Sequence, residues 1–422
     1  MKKIKVFVLA DNPLAPSGVA TQTRYMIEGL LQTGRYQFVC FGGAIRHQNY
    51  DPIRTDQYGD DWIIYPVDGY GSQQLVRQML QQQKPDIMWI MTDPRFWAWL
   101  WEIENEIRSV VPLVYYHVWD NFPPPKFNEP FYRSNDLVAT ISKLTDDIVK
   151  AVTPDVPRLR IPHTTNTDIM KKMPEHQVKE FRRNNKIGYK KNGEEKFIFF
   201  WNNRNARRKQ SGSLAWWFSE FLDRVGRDNA CLIMHTEPKD PNGQDLEAIM
   251  AEQRMLDGEL LLSVAKVSIP ELAMLYNLAD CTVNIADAEG FGLGTLESLS
   301  CETPIIATMT GGLQEQVTNG EEWFGVGIEP ASKAVIGSQD VPYIYEDRVS
   351  KEDVLDALEK MYNMSKEERL EMGKKGRQHV LDNYGLDQYI KMWDETLTKI
   401  HEEQGSWSNR KNHKSWEMKE IA

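Results

Sequence analysis

Short apolar runs alternate with amphipathic stretches along this chain of 422 residues, and the alternation occurs twice. In the first half, residues 4–10 are predicted to form a strand and residues 19–31 a helix that stops before Gly34. The pattern restarts with a predicted strand at 197–201 and a helix at 213–225. Strands that alternate with helices are typical of βαβ units in a parallel sheet. The sequence therefore predicts an α/β fold with two doubly wound parallel-sheet domains.

A charged, irregular stretch over residues 170–196 separates the two halves and is the predicted interdomain linker. An N-terminal domain is thus expected over residues 1–180 and a second domain over residues 190–385. An amphipathic helix is predicted over residues 387–402, and the polar tail at 403–422 is expected to be frayed.

Charge and cysteine content limit the functional classes. A net charge of −11 argues against a protein that grips nucleic acid over a wide face. The cysteines are scattered without a CxxC pair, so they are expected to be buried thiols in a reducing compartment. The first apolar run is only six residues long and favours a strand over a signal peptide. No window has the roughly 18 apolar residues of a membrane span, and a cytoplasmic protein is expected.

Two carboxylates flank a glycine-rich turn between a predicted strand and a predicted helix. Glu289 and Glu297 are separated by seven residues, including Gly292 and Gly294. Glycines let backbone amides approach an anion, and the helix N-terminus adds partial positive charge. Glu297 is suited to accept hydrogen bonds from ribose hydroxyls, and Glu289 to face a sugar. Spacing alone leaves an alternative open, an ordinary helix start with acidic residues placed for the dipole.

Four cations fall within six residues directly after the predicted strand at 197–201: Arg204, Arg207, Arg208 and Lys209. Such a cluster can neutralise a diphosphate leaving group, and an arginine can bind it in a bidentate manner. A solvated basic loop is the alternative that this segment leaves open when taken alone.

Two further candidates follow strands of the first half. Gly18 opens the first helix after Ser17, and its amides can approach a phosphate or an acceptor, but the segment lacks GxGxxG and a dinucleotide site is not expected. His117 ends a predicted strand, where it is either a hydrogen-bonded structural residue or a site residue. Asp120 is a candidate to orient His117 or to bind the acceptor.

The segment over residues 268–317 resembles the hallmark segment of the retaining glycosyltransferases of family 4. The resemblance rests on the run from Glu271 to Asp280, the acidic pair, residues 301–307 and the Gly311-Gly312-Leu313 turn. Weaker similarity extends over roughly residues 1–400. The resemblance implies the GT-B fold, in which two Rossmann-like domains face each other across a cleft and the C-terminal helix crosses back to the N-terminal domain.

The resemblance also implies roles for individual residues. Glu297 is expected to hold the donor ribose, Glu289 to lie against the transferred sugar, and His117 to contact that sugar. Arg204 and Lys209 are expected at the diphosphate. Gly18 is expected near the phosphates, but Ser17 stands where the family has glycine. Backbone amides of the turn are expected to meet the sugar and the distal phosphate, namely those of Phe291, Gly292, Leu293, Gly294 and Thr295.

The implied reaction is a metal-independent, retaining transfer from a UDP- or GDP-sugar to an acceptor hydroxyl, with no cofactor. No DxD motif follows a strand, in keeping with side-chain cations in the place of a metal. The usual glycine-rich loop after the second strand of the nucleotide domain is replaced by residues 235–238, which leaves the base open. The acceptor is equally open among glycans, lipid-linked glycans, proteins, small metabolites and modified bases. A nucleotide-sugar epimerase and a non-catalytic sensor are the alternatives, and the oligomeric state is not indicated.

An aromatic cluster in the first half has two interpretations. Core packing is favoured for these side chains, and stacking on an acceptor is the alternative. The cluster comprises Trp89, Phe96, Trp97, Trp99 and Trp101.

Overall fold

The computed structural model describes residues 2–413, so the last part of the predicted polar tail, residues 414–422, lies outside the described residues. The chain divides into two compact units. Unit 1 comprises Met1–His163 and Leu386–Ala422, and unit 2 comprises Thr164–Gly385. Each unit is built around a mainly parallel sheet with helices, as the alternation of apolar runs predicts.

Unit 1 contains an eight-stranded sheet in the order β3-β4-β2-β1-β5-β6-β7-β8, parallel except for the β3–β4 pair. Its central strands are buried on both faces because helices cover them. Its elements are β1 Ile4–Asp11, α1 Gly18–Gln32, β2 Tyr36–Gly43, β3 Ile53–Arg54, β4 Trp62–Pro66, α2 Gln73–Gln83, β5 Ile87–Met91, α3 Ala98–Trp101, α4 Glu104–Val110, β6 Leu113–His117, α5 Glu129–Arg133, β7 Leu137–Thr140, α6 Lys143–Val152 and β8 Arg158–Arg160.

Unit 2 contains a six-stranded parallel sheet in the order β11-β10-β9-β12-β13-β14 and a separate antiparallel pair, β15–β16. Its elements are α7 Glu175–Asn184, β9 Phe197–Asn202, α8 Ser211–Val225, β10 Ala230–His235, α9 Leu246–Glu252, β11 Leu260–Ser263, α10 Ile269–Leu278, β12 Cys281–Asn284, α11 Leu293–Ser300, β13 Ile305–Thr308, α12 Gln314–Val317, β14 Gly325–Ile328, β15 Ser332–Ile336, β16 Ile344–Arg348, α13 Lys351–Asn363 and α14 Lys366–Asn383.

The last helix, α15 (Leu386–Gln404), belongs to unit 1, as the resemblance implies. It packs against α1, where a Cβ added at Gly29 would lie 2.4 Å from side-chain carbons of Ile390. Trp393 is fully buried, and its ring lies 5.6 Å from Trp89 and 5.0 Å from Tyr116. The apolar stripe of this helix therefore completes the core of unit 1.

The expectation of a frayed tail is wrong for residues 405–410. Ser406 is buried and donates to Asp86 at 3.1 Å, and the indole of Trp407 donates to the Pro85 carbonyl at 2.7 Å. Arg410 pairs with Asp136 at 2.9 Å. A polar segment stays ordered here because its side chains find partners in unit 1.

The predicted linker at 170–196 is also different in the structure. The chain passes between the units at His163 and Thr164, and residues 170–196 belong to unit 2. Within them α7 packs Val178 and Phe181 on the core of that unit. The buried guanidinium of Arg182 donates to the carbonyls of Gly188 and Lys196 at 2.6 and 2.7 Å. The helix α7 was not predicted because this segment is rich in charged residues and the apolar face of the helix is short.

The aromatic cluster of unit 1 serves mainly as core. Trp89 and Trp97 are fully buried, and Trp101 is 5% exposed, whereas Phe96 is 47% exposed. Within residues 2–413, no helix is both long and apolar enough to cross a membrane.

Candidate active site

Adjacent strands bring the predicted donor-site residues of unit 2 to one edge of its sheet. Strands β9 and β12 pair in parallel through Phe199 with Cys281 and Phe200 with Thr282. Because the carboxyl ends of parallel strands lie at the same edge, the segment after β9 meets the segment after β12. Ligands of open α/β sheets bind at this edge.

The two segments meet in the ion pair of Lys209 with Glu289. Both side chains are buried, with about a tenth of their surface exposed. Burial by itself raises the pKa of Glu289, but the charges of Lys209 and Arg208 outweigh it and hold the pKa below its usual range. The structure therefore places an ionised carboxylate and a cation side by side.

The second carboxylate, Glu297, lies on α11 and is held by a hydroxyl. Tyr276 donates to Glu297 Oε2 at 2.8 Å, and Asn202 Nδ2 donates to the Tyr276 oxygen at 2.8 Å. Burial raises the pKa of Glu297 to about 7, and the bond from Tyr276 counteracts that rise. Glu297 as a whole residue is half-buried.

The turn between the carboxylates requires glycine at its centre. Gly292 precedes the first residue of α11 with φ of 93°, a left-handed conformation that side chains disfavour. Because glycine has no side chain to cap the helix, the first amides of α11 stay available to an anion. Gly294 is the second required glycine, since a Cβ there would lie 2.9 Å from the Asn202 carbonyl oxygen.

A buried glutamine, Gln316, is hydrogen-bonded to the backbone of this turn. Gln316 Nε2 donates to the carbonyls of Phe291 and Gly292 at 2.7 and 3.1 Å. Its Oε1 accepts from Thr295 Oγ1 at 2.6 Å. The Gly312 amide also donates to the Glu289 carbonyl at 3.0 Å. The backbone of the turn is thus fixed before any ligand arrives.

The other cations after β9 have partners of their own. Arg204 is 65% exposed and forms a bidentate pair with Asp240, with Nε–Oδ2 and Nη2–Oδ1 distances of 2.7 and 3.1 Å. Arg207 pairs with Glu346, and Arg208 donates to the Ala288 carbonyl. Of the two cations expected at the diphosphate, Lys209 lies beside Glu289 and Arg204 lies beside Asp240.

His117 lies in unit 1 and is fully buried. Its Nε2 lies 2.8 Å from the Tyr132 hydroxyl, and its buried Nδ1 has no hydrogen-bond partner among residues 2–413. Burial lowers the pKa of His117 to about 3, so the imidazole is neutral at physiological pH. Its hydrogen-bond partner is Tyr132 rather than Asp120, so the expectation that Asp120 orients His117 is wrong.

The remaining candidates of unit 1 lie at the start of α1 and after β6. Ser17 caps α1 by accepting from the Ala20 amide at 3.1 Å and donates to Asp11 at 2.6 Å. Gly18 is the exposed first residue of that helix. Asp120 is half-buried, and its charge contributes to the raised pKa of Arg95 after the larger effect of Asp93.

Several residues of the unit 2 site were missed in the sequence. Tyr276 stands inside the recognised segment, but nothing in the spacing shows its bond to Glu297. Gln316, Asp287 and Glu346 act through contacts across 21 to 139 positions of the chain, which local patterns do not reveal.

Comparison with known proteins finds similarity over the segment that carries the two carboxylates. Residues 250–379 match the model of the family described as glycosyl transferases group 1. Over 76 residues the chain is 36% identical to a D-inositol 3-phosphate glycosyltransferase of Pseudarthrobacter chlorophenolicus. That alignment spans only 18% of the length of each protein. The region matched by the family model, residues 250–379, contains Glu289, Glu297 and Gln316.

Solved structures share the fold over nearly the whole chain. Sucrose-phosphate synthase from Thermosynechococcus elongatus is similar with a TM-score of 0.74 at 14% identity, covering 95% of this chain and 100% of the other. Anabaena Alr3699/HepE in complex with UDP and glucose has a TM-score of 0.68 at 12% identity, covering 94% and 99%. These likenesses establish the GT-B type of fold, with two Rossmann-like domains.

Proposed function

We propose that this chain, which belongs to the group 1 glycosyltransferases, transfers a sugar from a nucleoside diphosphate sugar to an acceptor hydroxyl with retention of configuration. The observation that carries the proposal is the buried pair of Lys209 and Glu289 at the carboxyl edge of the unit 2 sheet. It lies next to a glycine turn that opens a helix and leads to a second carboxylate, Glu297.

Glu297 is assigned the role of binding the nucleoside part of the donor. A carboxylate with one oxygen held by Tyr276 keeps its other oxygen for neighbouring hydroxyls of a ribose. UDP is the first candidate because the similar Anabaena protein was solved in complex with UDP. GDP remains the second, since the loop at 235–238 carries no sequence pattern that selects a base.

The leaving diphosphate is assigned to Lys209, Arg204 and the first turn of α11. As the sugar–phosphate bond lengthens, negative charge grows on the diphosphate, and fixed cations and amides stabilise it. Lys209 is already held in place by Glu289, so it needs no reorganisation. These cations do the work that a divalent metal does elsewhere, and we propose that transfer proceeds without a metal or another cofactor.

In this proposal the anomeric configuration is retained because the acceptor attacks the anomeric carbon from the same face that the diphosphate leaves. The acceptor hydroxyl loses its proton to the departing phosphate as its oxygen bonds to the anomeric carbon. Glu289 stabilises the positive charge of the sugar without forming a bond to it, unlike the nucleophile of a retaining glycosidase. His117, neutral because of its burial, is proposed to contribute a hydrogen bond and no charge.

The acceptor side is proposed to involve unit 1, including Ser17, Gly18 and Asp120. The chain spans under a fifth of the first curated relative, so the acceptor in that name is not carried over. A cytoplasmic location belongs to the same proposal and is supported by four cysteines that lie buried as free thiols.

Calorimetric titration with UDP, GDP and ADP in EDTA tests the donor assignment. Wild-type protein is expected to bind one diphosphate, and Glu297→Gln to weaken it by about tenfold through loss of a charge-assisted hydrogen bond. Glu321→Gln, an exposed glutamate of the same unit, is the matched control. Absence of binding in EDTA with recovery on adding Mg²⁺ would contradict metal independence, and absence under both conditions would contradict the donor site itself.

A turnover assay with the nucleotide sugar separates a transferase from the alternative functions. Turnover of the bound nucleotide sugar with release of free nucleoside diphosphate is expected of a transferase. An epimerase would convert the sugar and keep its bond to the nucleotide, and a sensor would do neither.

A further inference from the structure

The β15–β16 hairpin is not part of the six-stranded sheet, yet its base reaches the candidate donor site. The two strands pair in antiparallel register from Ser332 with Arg348 to Ile336 with Ile344. One face of the hairpin is exposed, as Val335 shows with 69% of its surface accessible. On the other face, Ile344 and Glu346 are 6% and 3% exposed. The hairpin is therefore held through this buried face and through its base, residues 346–348 of β16.

The first anchor is an ion pair in which one guanidinium nitrogen contacts both oxygens of a carboxylate. Arg207 Nη2 lies 3.0 and 2.9 Å from the two carboxylate oxygens of Glu346. Arg207 stands two residues before Lys209, in the same short 3-10 turn. A charge-assisted contact with a carboxylate that is almost fully buried restricts where the guanidinium can lie. Glu346 therefore restrains the turn that carries Lys209.

The second anchor holds the segment that carries Glu289. The Asp347 amide donates to the Asp287 carbonyl at 3.0 Å, and Arg348 pairs with the Asp287 carboxylate at 2.8 Å. Gln210 donates to the same carboxylate at 2.7 Å, and the Asp287 amide donates to the Arg208 carbonyl at 2.8 Å. Asp287, which is 2% exposed, thus joins the cation turn, the Glu289 segment and the hairpin.

A third anchor reaches the loop after β13. Thr310 Oγ1 donates to Asp347 Oδ2 at 2.7 Å. Two residues later, the Gly312 amide donates to the Glu289 carbonyl at 3.0 Å. The base of the hairpin consequently touches all three loops that surround the pair of Lys209 and Glu289.

We infer that the β15–β16 hairpin is a positioning element of the donor site, in which Glu346 orients Arg207, and Asp347 and Arg348 hold Asp287, so that Lys209 and Glu289 keep their mutual placement. The inference rests on the proposed function. Arg207 and Asp287 are positioning residues. They act on Lys209 and Glu289 by fixing the turns that carry these two side chains. Small displacements of such groups lower the rate of chemistry more than they weaken binding.

The test compares Glu346→Gln, Arg207→Gln, their double variant and the rescue variant Glu346→Asp, with Val335→Thr as the control on the exposed part of the hairpin. Three quantities are measured well below each melting temperature. They are UDP affinity by calorimetry, kcat and KM for release of UDP from UDP-glucose, and hydrogen exchange of the peptides over residues 203–210 and 285–292.

Glu346→Gln is expected to lower kcat by about tenfold or more, with UDP affinity and KM within about twofold of wild type. Exchange is expected to accelerate in both peptides and not in the strands of the sheet. The double variant should be no slower than the slower single variant, since both remove one interaction. Glu346→Asp is expected to recover part of kcat, and Val335→Thr to match wild type.

Unchanged exchange in both peptides, or unchanged kcat, in Glu346→Gln would overturn the inference while leaving the donor site intact. A tenfold loss of UDP affinity in Arg207→Gln but not in Glu346→Gln would also overturn it, because Arg207 would then bind the diphosphate directly. Failure of the wild-type protein to bind UDP or GDP at all would sink the proposed function and this inference together.

Discussion

The hydroxyl of Tyr276 donates to Oε2 of Glu297 at 2.8 Å and itself accepts from Asn202 at 2.8 Å. Tyr276 is the eighth residue of α10, Glu297 is the fifth of α11, and Asn202 ends β9. The three elements therefore determine together which oxygen of the carboxylate is left for a ligand.

Tyr276→Phe removes the hydrogen bond that orients Glu297 and counteracts the rise of its pKa. UDP affinity is expected to fall by about 1 kcal/mol, the usual value of one such bond. The pKa of Glu297, already raised to about 7 by burial, is expected to rise further. Binding should then require a higher pH, which calorimetry between pH 6 and 8.5 measures. Tyr343→Phe, at an exposed tyrosine of the same unit, is the control, and an unshifted pH dependence in Tyr276→Phe speaks against the role of the hydroxyl.

Glu297→Gln is expected to stabilise the protein at alkaline pH while weakening UDP binding. Burial raises the pKa of Glu297 from 4.5 to about 7, so the folded chain binds more protons there than the unfolded chain between these values. Stability therefore falls as pH rises through this window. At pH 8 the variant is expected to exceed wild type by about 1–2 kcal/mol in unfolding free energy, and by little at pH 5. Urea denaturation at both pH values, with Glu321→Gln as control, checks this, and an equal difference at both would contradict it.

Lys209→Met leaves Glu289 buried without its closest cation. The pKa of Glu289, which Lys209 and Arg208 hold low against burial, is expected to rise. The variant should lose about 3 kcal/mol of stability, as expected when one partner of a buried pair is removed. The double variant Lys209→Met/Glu289→Gln should recover most of that stability and none of the turnover. If the double variant is as unstable as the single one, the pair is not the source of the loss.

His117 is expected to stay neutral across the working pH range because burial lowers its pKa to about 3. Its ring ¹⁵N resonances, assigned by their loss in His117→Gln, should not titrate between pH 5 and 9, with free histidine as the reference. A neutral imidazole forms a hydrogen bond without gaining or losing a proton. The dependence of the rate on pH should therefore show the same inflections in the wild type and in His117→Gln. A transition between pH 6 and 7 at His117 would overturn this assignment.

The secondary structure was predictable where local patterns are strong. Residues 19–31 became α1 at Gly18–Gln32, and the last amphipathic helix became α15 at Leu386–Gln404. The strand Trp62–Pro66 was not predicted, and neither was the β15–β16 hairpin. The helix at Glu175–Asn184 was missed because its composition is charged and only one narrow face is apolar.

The sequence by itself predicted the fold class, the resemblance to a glycosyltransferase family and the acidic pair around the glycine turn, because periodicity, glycine positions and motif spacing are local properties of a chain. It could not determine which partner each cation takes. Lys209 meets Glu289 across 80 positions and Arg207 meets Glu346 across 139. Such pairs depend on which strand ends adjoin in the folded sheet, and there the charges of Lys209 and Arg208 hold the pKa of Glu289 low against its burial. Tertiary structure alone decided that Lys209 faces Glu289, that Arg204 turns to Asp240 and that a hairpin braces the site.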